Sequence, residues 1–328
     1  MRVVRNKRES AGADGDSPLR AVVDIVIVSY NTRDLTLACL RTVERETSVA
    51  HRVIVVDNGS RDGSADAIAE AFPSVLLLRS AKNLGFAGAI NLASGQLAAP
   101  WLLLLNSDAE VRDRAIDRLL AYAQAQPAPG IYGGRVLERD GRSSGISCLG
   151  RPSVWSHFCL ATGLTFLFRR SVWFNPEAVR LSQDDQPREV DIVVGCLFLI
   201  STADWRRLGG FDRRFFMYGE EADLCLRAAR LGLRSVAVPF ATILHLGEAS
   251  AETPADPLVQ IARARMTLMR RHWPKRWHFT IVPLGWLWAA LRVAAASLPM
   301  LRASARTAER RRTWRTVWRR RAEWLAGY

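Results

Sequence analysis

The sequence predicts an α/β domain with a parallel-strand core, and three observations predict it. Short apolar runs alternate with stretches of helical periodicity over residues 24–108, the runs are continuous, and each ends in polar residues. A continuous apolar run suits a strand buried on both faces. Strand–helix alternation implies right-handed crossovers between parallel neighbours. Ligands of such sheets bind beyond the carboxyl ends of the strands, so the polar tips are the first candidates for a site.

The elements follow in order. DIVIVSY (24–30) reads as the first strand. Over 32–46, Leu35, Cys39 and Val43 recur at four-residue steps, the spacing of a helix. RVIVVDNGS (52–60) is a second strand running into a turn, 64–72 a short helix stopped by Pro73, and VLLLR (75–79) a third strand. A helix is expected over 86–97 and a fourth strand in WLLLLNSD (101–108). The tips Ser29-Tyr30-Asn31, Asp57-Asn58, Lys82-Asn83 and Asn106-Ser107-Asp108 then share one edge. Residues 135–190 are irregular in pattern. Beyond them come VDIVVGCLFLI (190–200), a helix over 203–208, a helix over 220–231 and a strand-rich stretch over 235–246 that ends near His245. The 220–231 helix carries acids in its first turn and Arg227 and Arg230 later, which suits its dipole.

The chain has 328 residues, 49% of them apolar, enough to bury a sizeable core. Cys39, Cys148, Cys159, Cys196 and Cys225 show no paired spacing, which points away from a zinc site or a disulfide framework; the odd count fits a reducing compartment. Residues 1–20 are charged and then Gly/Ser/Asp-rich, the composition of a disordered tail without the apolar core of a signal peptide. The net charge is +14, concentrated after Arg263 and again from Arg310 to Arg321. Such a bias calls for an anionic partner; no nucleic-acid-binding module is visible, which leaves lipid headgroups. Residues 279–301 are apolar apart from Arg292, contain Trp286 and Trp288, and have basic flanks. The stretch is long enough to cross a bilayer, but a central arginine with Pro283 and Pro299 favours a helix or helix pair lying in the interface of an anionic membrane. A soluble helical hairpin covering the sheet is the alternative.

The pieces IVIVSYN, VIVVDNGSRDGS, NLGFAGAIN, LLLLNSD and FFMYGEEADLCLRAARLG stand in an order and spacing that resembles family 2 glycosyltransferases, closest to their bacterial rhamnosyltransferase-like branch. The resemblance covers about residues 22–250. It implies a GT-A fold, a Rossmann-like mixed central sheet flanked by helices. It implies an inverting transfer, with a divalent metal (Mn2+ or Mg2+), from a nucleoside-diphosphate sugar such as dTDP-rhamnose to a lipid-linked or polysaccharide acceptor in cell-envelope glycan synthesis. The expected organisation is a tail (1–20), a glycosyltransferase domain (21–250, with a nucleotide-sugar half over 21–134 and an acceptor half over 135–250) and a basic helical extension (251–328). The expected location is cytoplasmic, peripheral on the inner face of the cell membrane.

Residue by residue, the resemblance places Ser29, Tyr30, Asn31 and Asp57 on the nucleotide, though Asp57-Asn58-Gly59 alone is equally a β-turn. Asn83, Gly85, Phe86 and Asn91 would lie against the donor, where small residues let backbone approach a ligand; alone, this stretch is as readily a loop. Asn106, Ser107 and Asp108 would face the diphosphate, with Asp108 as metal ligand and Asn106 replacing the first aspartate of the family's DxD. Asp108 could instead cap the next helix. His245 would complete the metal site or serve structure alone. Glu221 stands where the family's base is usually an aspartate, one methylene longer, with Glu220 as second choice. A carboxylate among carboxylates has a raised pKa, which suits a base; the same acids could simply stabilise their helix. Gly195 and Asp223 are expected at the acceptor, and Trp155, Phe158, Phe166 and Trp173 either shape its pocket or belong to ordinary core. The runner-up is a non-catalytic nucleotide-sugar-binding scaffold of a polysaccharide assembly complex.

Overall fold

The computed structural model describes residues 2–4, 20–143, 147–181, 186–247, 254–297 and 304–328. The first elements are β1 (Arg2–Val4), β2 (Val23–Ser29), α1 (Arg33–Glu46), β3 (His51–Asp57), α2 (Ser64–Ala71), β4 (Leu76–Arg79), α3 (Gly85–Ser94) and β5 (Trp101–Asn106). They are followed by β6 (Ala109–Val111), α4 (Ala115–Gln124), β7 (Gly130–Leu137), β8 (Cys148–Leu149), α5 (Val154–Thr162), α6 (Leu164–Leu167), β9 (Arg188–Val190), β10 (Ile192–Val193) and β11 (Leu197–Ser201). Then come α7 (Thr202–Leu208), α8 (Glu220–Arg230), β12 (Arg234–His245), α9 (Ala255–His272), a 3-10 turn (Lys275–Thr280), α10 (Ile281–Ser297), α11 (Ala305–Arg319) and α12 (Arg321–Ala326).

The main sheet runs β1-β4-β3-β2-β5-β11-β7-β12-β6, with β9 also paired to β12. The expected parallel register holds among β4, β3, β2 and β5. The sheet turns mixed at β11, which lies antiparallel between β5 and β7. Because Leu197 pairs with Leu105, the residues just before β11 reach the carboxyl end of β5. Of the tail expected to be disordered, Arg2–Val4 instead pairs antiparallel with β4 and covers an edge that would otherwise carry unpaired backbone groups. The rest of that tail lies outside the described residues.

Period-2 alternation divides the strand side chains between two cores. Ile25, Ile27, Val55, Leu103 and Leu105 pack with residues of α1, α2 and α4. Val26, Ile54, Val56, Leu102 and Leu104 pack with residues of α3 and α8. A third cluster joins α9 to α12 through Val259, Met266, Trp273, Ile281, Val317 and Trp324. Helix α9 serves two of the cores, since Ala264 and Leu268 belong to the α3–α8 side. The middle segment that looked irregular holds β8, which pairs with β10 just beyond it, and α5, whose start is fixed by a reciprocal Ser153–Ser156 capping box.

The segment Lys275–Ser297 is long and apolar enough to cross a membrane by length and composition. Its central arginine, Arg292, is committed to the neighbouring helix. The Arg292 guanidinium donates to the carbonyls of Leu160 (2.7 Å) and Ala161 (3.2 Å) at the end of α5. A cation at a helix C-terminus satisfies carbonyls that the helix leaves open. The end of the predicted 279–301 stretch, with Pro299, falls outside the described residues.

Candidate active site

The parallel strands deliver their polar tips to one edge. Ser29 ends β2 fully buried, its hydroxyl 3.0 Å from that of Thr36. Tyr30 is half-buried, and Asn31 is exposed with φ of 53°, a left-handed turn that asparagine tolerates. Asn31 ties this tip to the next: its N–H donates to Ser60 Oγ (3.0 Å) and its Oδ1 accepts from the Arg61 N–H (2.8 Å). Asp57 ends β3 and is buried. Its Oδ2 accepts from the Ser60 N–H at 3.4 Å, whereas Oδ1 has no hydrogen-bond partner among the described residues. Buried acceptors are rarely left without donors, so this oxygen is free to accept a further N–H or O–H.

Asn58 links the second tip to the third. Its Nδ2 donates to Asn83 Oδ1 (2.9 Å), and its Oδ1 accepts from the Leu84 N–H (2.9 Å). Asn83 Oδ1 also accepts from the Gly85 N–H (2.8 Å). Gly85 has φ of 74°, and a Cβ there would overlap the Phe216 carbonyl, which also accepts from the Phe86 N–H at 2.8 Å. The close approach that this glycine allows is therefore to the loop before α8. Asn91 is likewise engaged with protein: its amide both donates to and accepts from the Phe211 backbone, at 2.8 and 3.0 Å.

Beyond β5, Ser107 is 3.3 Å from the Thr32 hydroxyl. Asp108 Oδ1 lies 3.2 Å from His245 Nε2, and the Asn106 amide lies 3.2 Å from the same nitrogen. The register explains the meeting, since β12 pairs antiparallel with β6 so that His245 faces Ala109. The hydrogen bond to Asp108, with a further one to Cys196, pushes His245 up to about 10. The two therefore form an ion pair near neutral pH.

The acidic end of α8 is reached through Tyr218 (φ 68°) and Gly219 (φ 85°). A left-handed tyrosine costs about 1–3 kcal/mol, and its neighbours hold it there. The Tyr328 hydroxyl donates to the Met217 carbonyl at 2.7 Å, and its ring packs edge-on against Phe215 at 5.9 Å. Glu220 is buried, and its Oε2 has no hydrogen-bond partner among the described residues. Burial, then the charge of Glu221, holds its carboxyl well above the usual range. Glu221 is also pushed up by burial. A Cβ built on Gly195 would come within 3.9 Å of both Glu221 Cβ and a Phe86 ring carbon, so these three meet. The Tyr218 phenol is raised by burial and then by Glu220, Asp108 and Glu221. One side chain thus feels the donor-edge carboxylate and both α8 acids.

Asp223 has no exposed surface to offer an acceptor. Its carboxylate accepts from Arg227 (2.7 Å), Arg271 (2.6 Å) and His272 (2.8 Å), which fastens α8 to α9. Five residues of this arrangement carry no local sequence signal: Cys196, Tyr218, Arg271, His272 and Tyr328. The left-handed Tyr218 could have been suspected only from the Gly219 beside it.

Comparison with known proteins bears on the family and the fold. The glycosyl transferase family 2 model matches residues 24–180, and a model described as the N-terminal domain of galactosyltransferase matches residues 178–248. The chain is a glycosyltransferase that carries a family 2 domain. The matched residues contain every tip described above, together with Glu220, Glu221 and His245. An N-acetylglucosaminyl-diphospho-decaprenol L-rhamnosyltransferase from Mycobacterium tuberculosis (strain ATCC 25618 / H37Rv) is 29% identical to this glycosyltransferase over 306 residues, 89% of this chain and 96% of the relative. The O-antigen biosynthesis protein RfbC of Myxococcus xanthus is 26% identical over 73% of this chain and 18% of its own length. The fold is GT-A-like. A mannosyltransferase from Pyrobaculum calidifontis, solved with GDP-Man and Mn2+, superposes with a TM-score of 0.55 at 17% identity, over 97% of this chain and 91% of that one. GalNAc-T7, solved with UDP, GalNAc and Mn2+, gives 0.59 at 15% identity over 92% and 57%.

Proposed function

We propose that this glycosyltransferase moves a sugar, rhamnose first among the candidates, from a nucleoside-diphosphate donor such as dTDP-rhamnose to a lipid-linked cell-envelope acceptor, with inversion at the anomeric carbon. The observation that carries it is a pair of buried carboxyl groups, each with an oxygen that has no hydrogen-bond partner among the described residues: Asp57 Oδ1 on the donor edge and Glu220 Oε2 beside the base. The name and the near full-length match of the mycobacterial relative support the substrate classes.

Asp57 accepts a hydrogen bond from the base or ribose, and the Ser29-to-Asn31 turn walls the nucleotide. Asn83, Gly85 and Asn91 act through the backbone they hold, keeping Phe86 and the loop before α8 in place. Asn106, Ser107 and Asp108 face the diphosphate. Asp108 and His245 suit a share in holding a divalent cation, being an oxygen and a nitrogen donor already side by side. No cluster of three or more such groups occurs among the described residues, which fits an ion such as Mn2+ or Mg2+ that takes its other ligands from donor phosphates and water. When bound, the ion supplies charge neutralisation to the leaving diphosphate. His245 must give up its proton to bind it. Glu221 takes the proton of the acceptor hydroxyl as that oxygen attacks the anomeric carbon, and Gly195 leaves the acceptor room beside it. Glu220, its buried carboxyl held well above the usual range by burial and then by Glu221, shares the buried acidic end of α8 with the base.

The apolar helix α10 and the arginines of α11 suit attachment to the inner face of an anionic membrane. Arg311, Arg312, Arg315 and Arg319 line one groove of about 330 Å³. A binding-only scaffold is favoured by one feature, the longer Glu221 in place of aspartate. Calorimetric titration with nucleoside-diphosphate sugars, with and without Mn2+, tests the donor site. Metal-dependent binding of dTDP-rhamnose is expected, lost in Asp108→Ala. Unchanged Mn2+-dependent affinity in that variant would overturn the metal assignment, and binding without turnover would favour the scaffold.

A further inference from the structure

A groove between α5 and the segment that leads into α10 is an apolar opening that the transfer chemistry does not use. Val154, Trp155 and Phe158 form one wall, and Phe279, Pro283 and Leu284 the other, around about 560 Å³. That volume falls in the range of small-molecule sites, yet the walls offer a ligand almost nothing to hydrogen-bond. Whatever lies there is hydrocarbon.

The walls are preformed. Arg292 of α10 is bonded to the last carbonyls of α5 and lies 5.4 Å from the Phe166 ring, which holds the two helices side by side. Trp155 stacks on Phe158 at 5.5 Å and touches Phe174 at 6.1 Å, while its indole N–H donates to the Trp173 carbonyl at 2.6 Å. The groove therefore continues into an apolar surface on which Trp173 is 77% and Phe279 72% exposed. Proteins rarely leave so much contiguous apolar surface to water without a partner for it.

We infer that this groove seats the first part of the hydrocarbon chain of the lipid-linked acceptor, the remainder running on into the bilayer; this rests on the acceptor class proposed above. Two features select an acceptor chain over bulk acyl chains. One is position. The α5 wall belongs to the glycosyltransferase domain, and its start follows β8 by five residues. Strand β8 pairs with β10 through Cys148 and Val193, two residues before Gly195 at the base. The other is charge. Lys275 and Arg276 directly precede the Phe279 wall, are exposed and have no ion-pair partner among the described residues. They suit an anionic phosphate or diphosphate at the head of a chain lying in the groove.

The test is a binding measurement independent of sugar transfer. Tryptophan fluorescence of the full chain is titrated with a long-chain polyprenyl phosphate and with short-chain geranyl phosphate, for the wild type, Phe279→Gln and Phe158→Gln/Phe279→Gln. Both side chains are exposed, so the core is untouched; an unchanged melting curve checks this. Cosedimentation with phosphatidylglycerol vesicles is measured beside it. The expected result is that the wild type prefers the long chain. The double variant loses that preference by about tenfold or more, the effect of a few methylenes leaving apolar surroundings, while vesicle binding is kept. Equal affinity of wild type and double variant for the long chain would overturn the inference, as would a loss that follows vesicle binding in step, since the groove would then meet bulk lipid. A wild type that binds the long chain but transfers no sugar to its diphosphate-linked N-acetylglucosamine form would leave the groove standing and defeat the proposed reaction instead.

Discussion

The two sides of the cleft are held in place by different means. The donor side is nearly self-contained: Ser29, Asn31, Asp57, Asn58 and Asn83 sit at the ends of neighbouring parallel strands or the loops that follow them and are braced over short reaches, and Asp108 alone among these tips reaches far along the chain, to His245. The base side is braced from a distance. Helix α8 is fastened to α9 through Asp223, Arg271 and His272, and the loop before it is held by Tyr328, 111 residues from Met217. A damaged donor tip should therefore cost a contact, whereas a damaged brace should cost geometry. Variants on the base side separate these outcomes.

The largest effect is expected at the base. Glu221→Gln should lower kcat by about 10²–10⁴-fold, the usual worth of a positioned base, with Mn2+-dependent donor affinity unchanged in calorimetry. The pH profile sharpens the assignment. Burial raises the Glu221 carboxyl above its ordinary 4.5, so the basic form is lost as pH falls through that raised value. The acid limb of kcat/KM should sit above pH 4.5 in the wild type and vanish in Glu221→Gln. A limb that survives would move the role to Glu220.

Asp223→Ala should strike stability. It leaves three buried or half-buried donors, on Arg227, Arg271 and His272, without their shared carboxylate. Removing one partner of a buried ion pair costs on the order of 3–5 kcal/mol, visible as a lower urea midpoint. Acceptor KM of the protein that stays folded should be unchanged. A raised acceptor KM at full stability would restore Asp223 to the acceptor site, where the sequence motif placed it.

The same contrast explains what could be read in the sequence. Donor-side residues are legible because each tip follows directly on an apolar run, and the parallel order of β2 to β5 then brings them to one edge whatever the rest of the chain does. The α8 acids are legible as a local cluster, but the roles within it are not. Glu220, Glu221 and Asp223 look alike in sequence and are told apart by partners that lie 48 and 49 residues on, at Arg271 and His272. Gly85 was readable as a site of close approach, but what it approaches, Phe216, is fixed by the tertiary path. Arg292 looked like an obstacle inside an apolar stretch until the end of α5 was seen to need a cation. Beyond β5 the sheet turns mixed at β11, a strand contributed by the second half, so the parallel pattern of the first half could not announce it.

The smallest expected effect tests the most distant brace. Tyr328→Phe keeps the ring against Phe215 and beneath the Arg263 guanidinium, 4.6 Å from its centroid, and removes only the hydroxyl that donates to the Met217 carbonyl. One hydrogen bond is worth about 1 kcal/mol, so at most about a fivefold loss of kcat is expected, with the melting temperature lowered by at most about 4 °C and donor KM unchanged, because the hydroxyl touches the loop before the base and no donor contact. Tyr328→Ala should lose more and also melt earlier, since it removes the ring. If Tyr328→Phe instead raises donor KM with kcat intact, the loop before α8 serves the donor through Phe216 and Phe86 rather than the base. The two sides of the cleft would then share one brace, and the division drawn between them would fail at that loop.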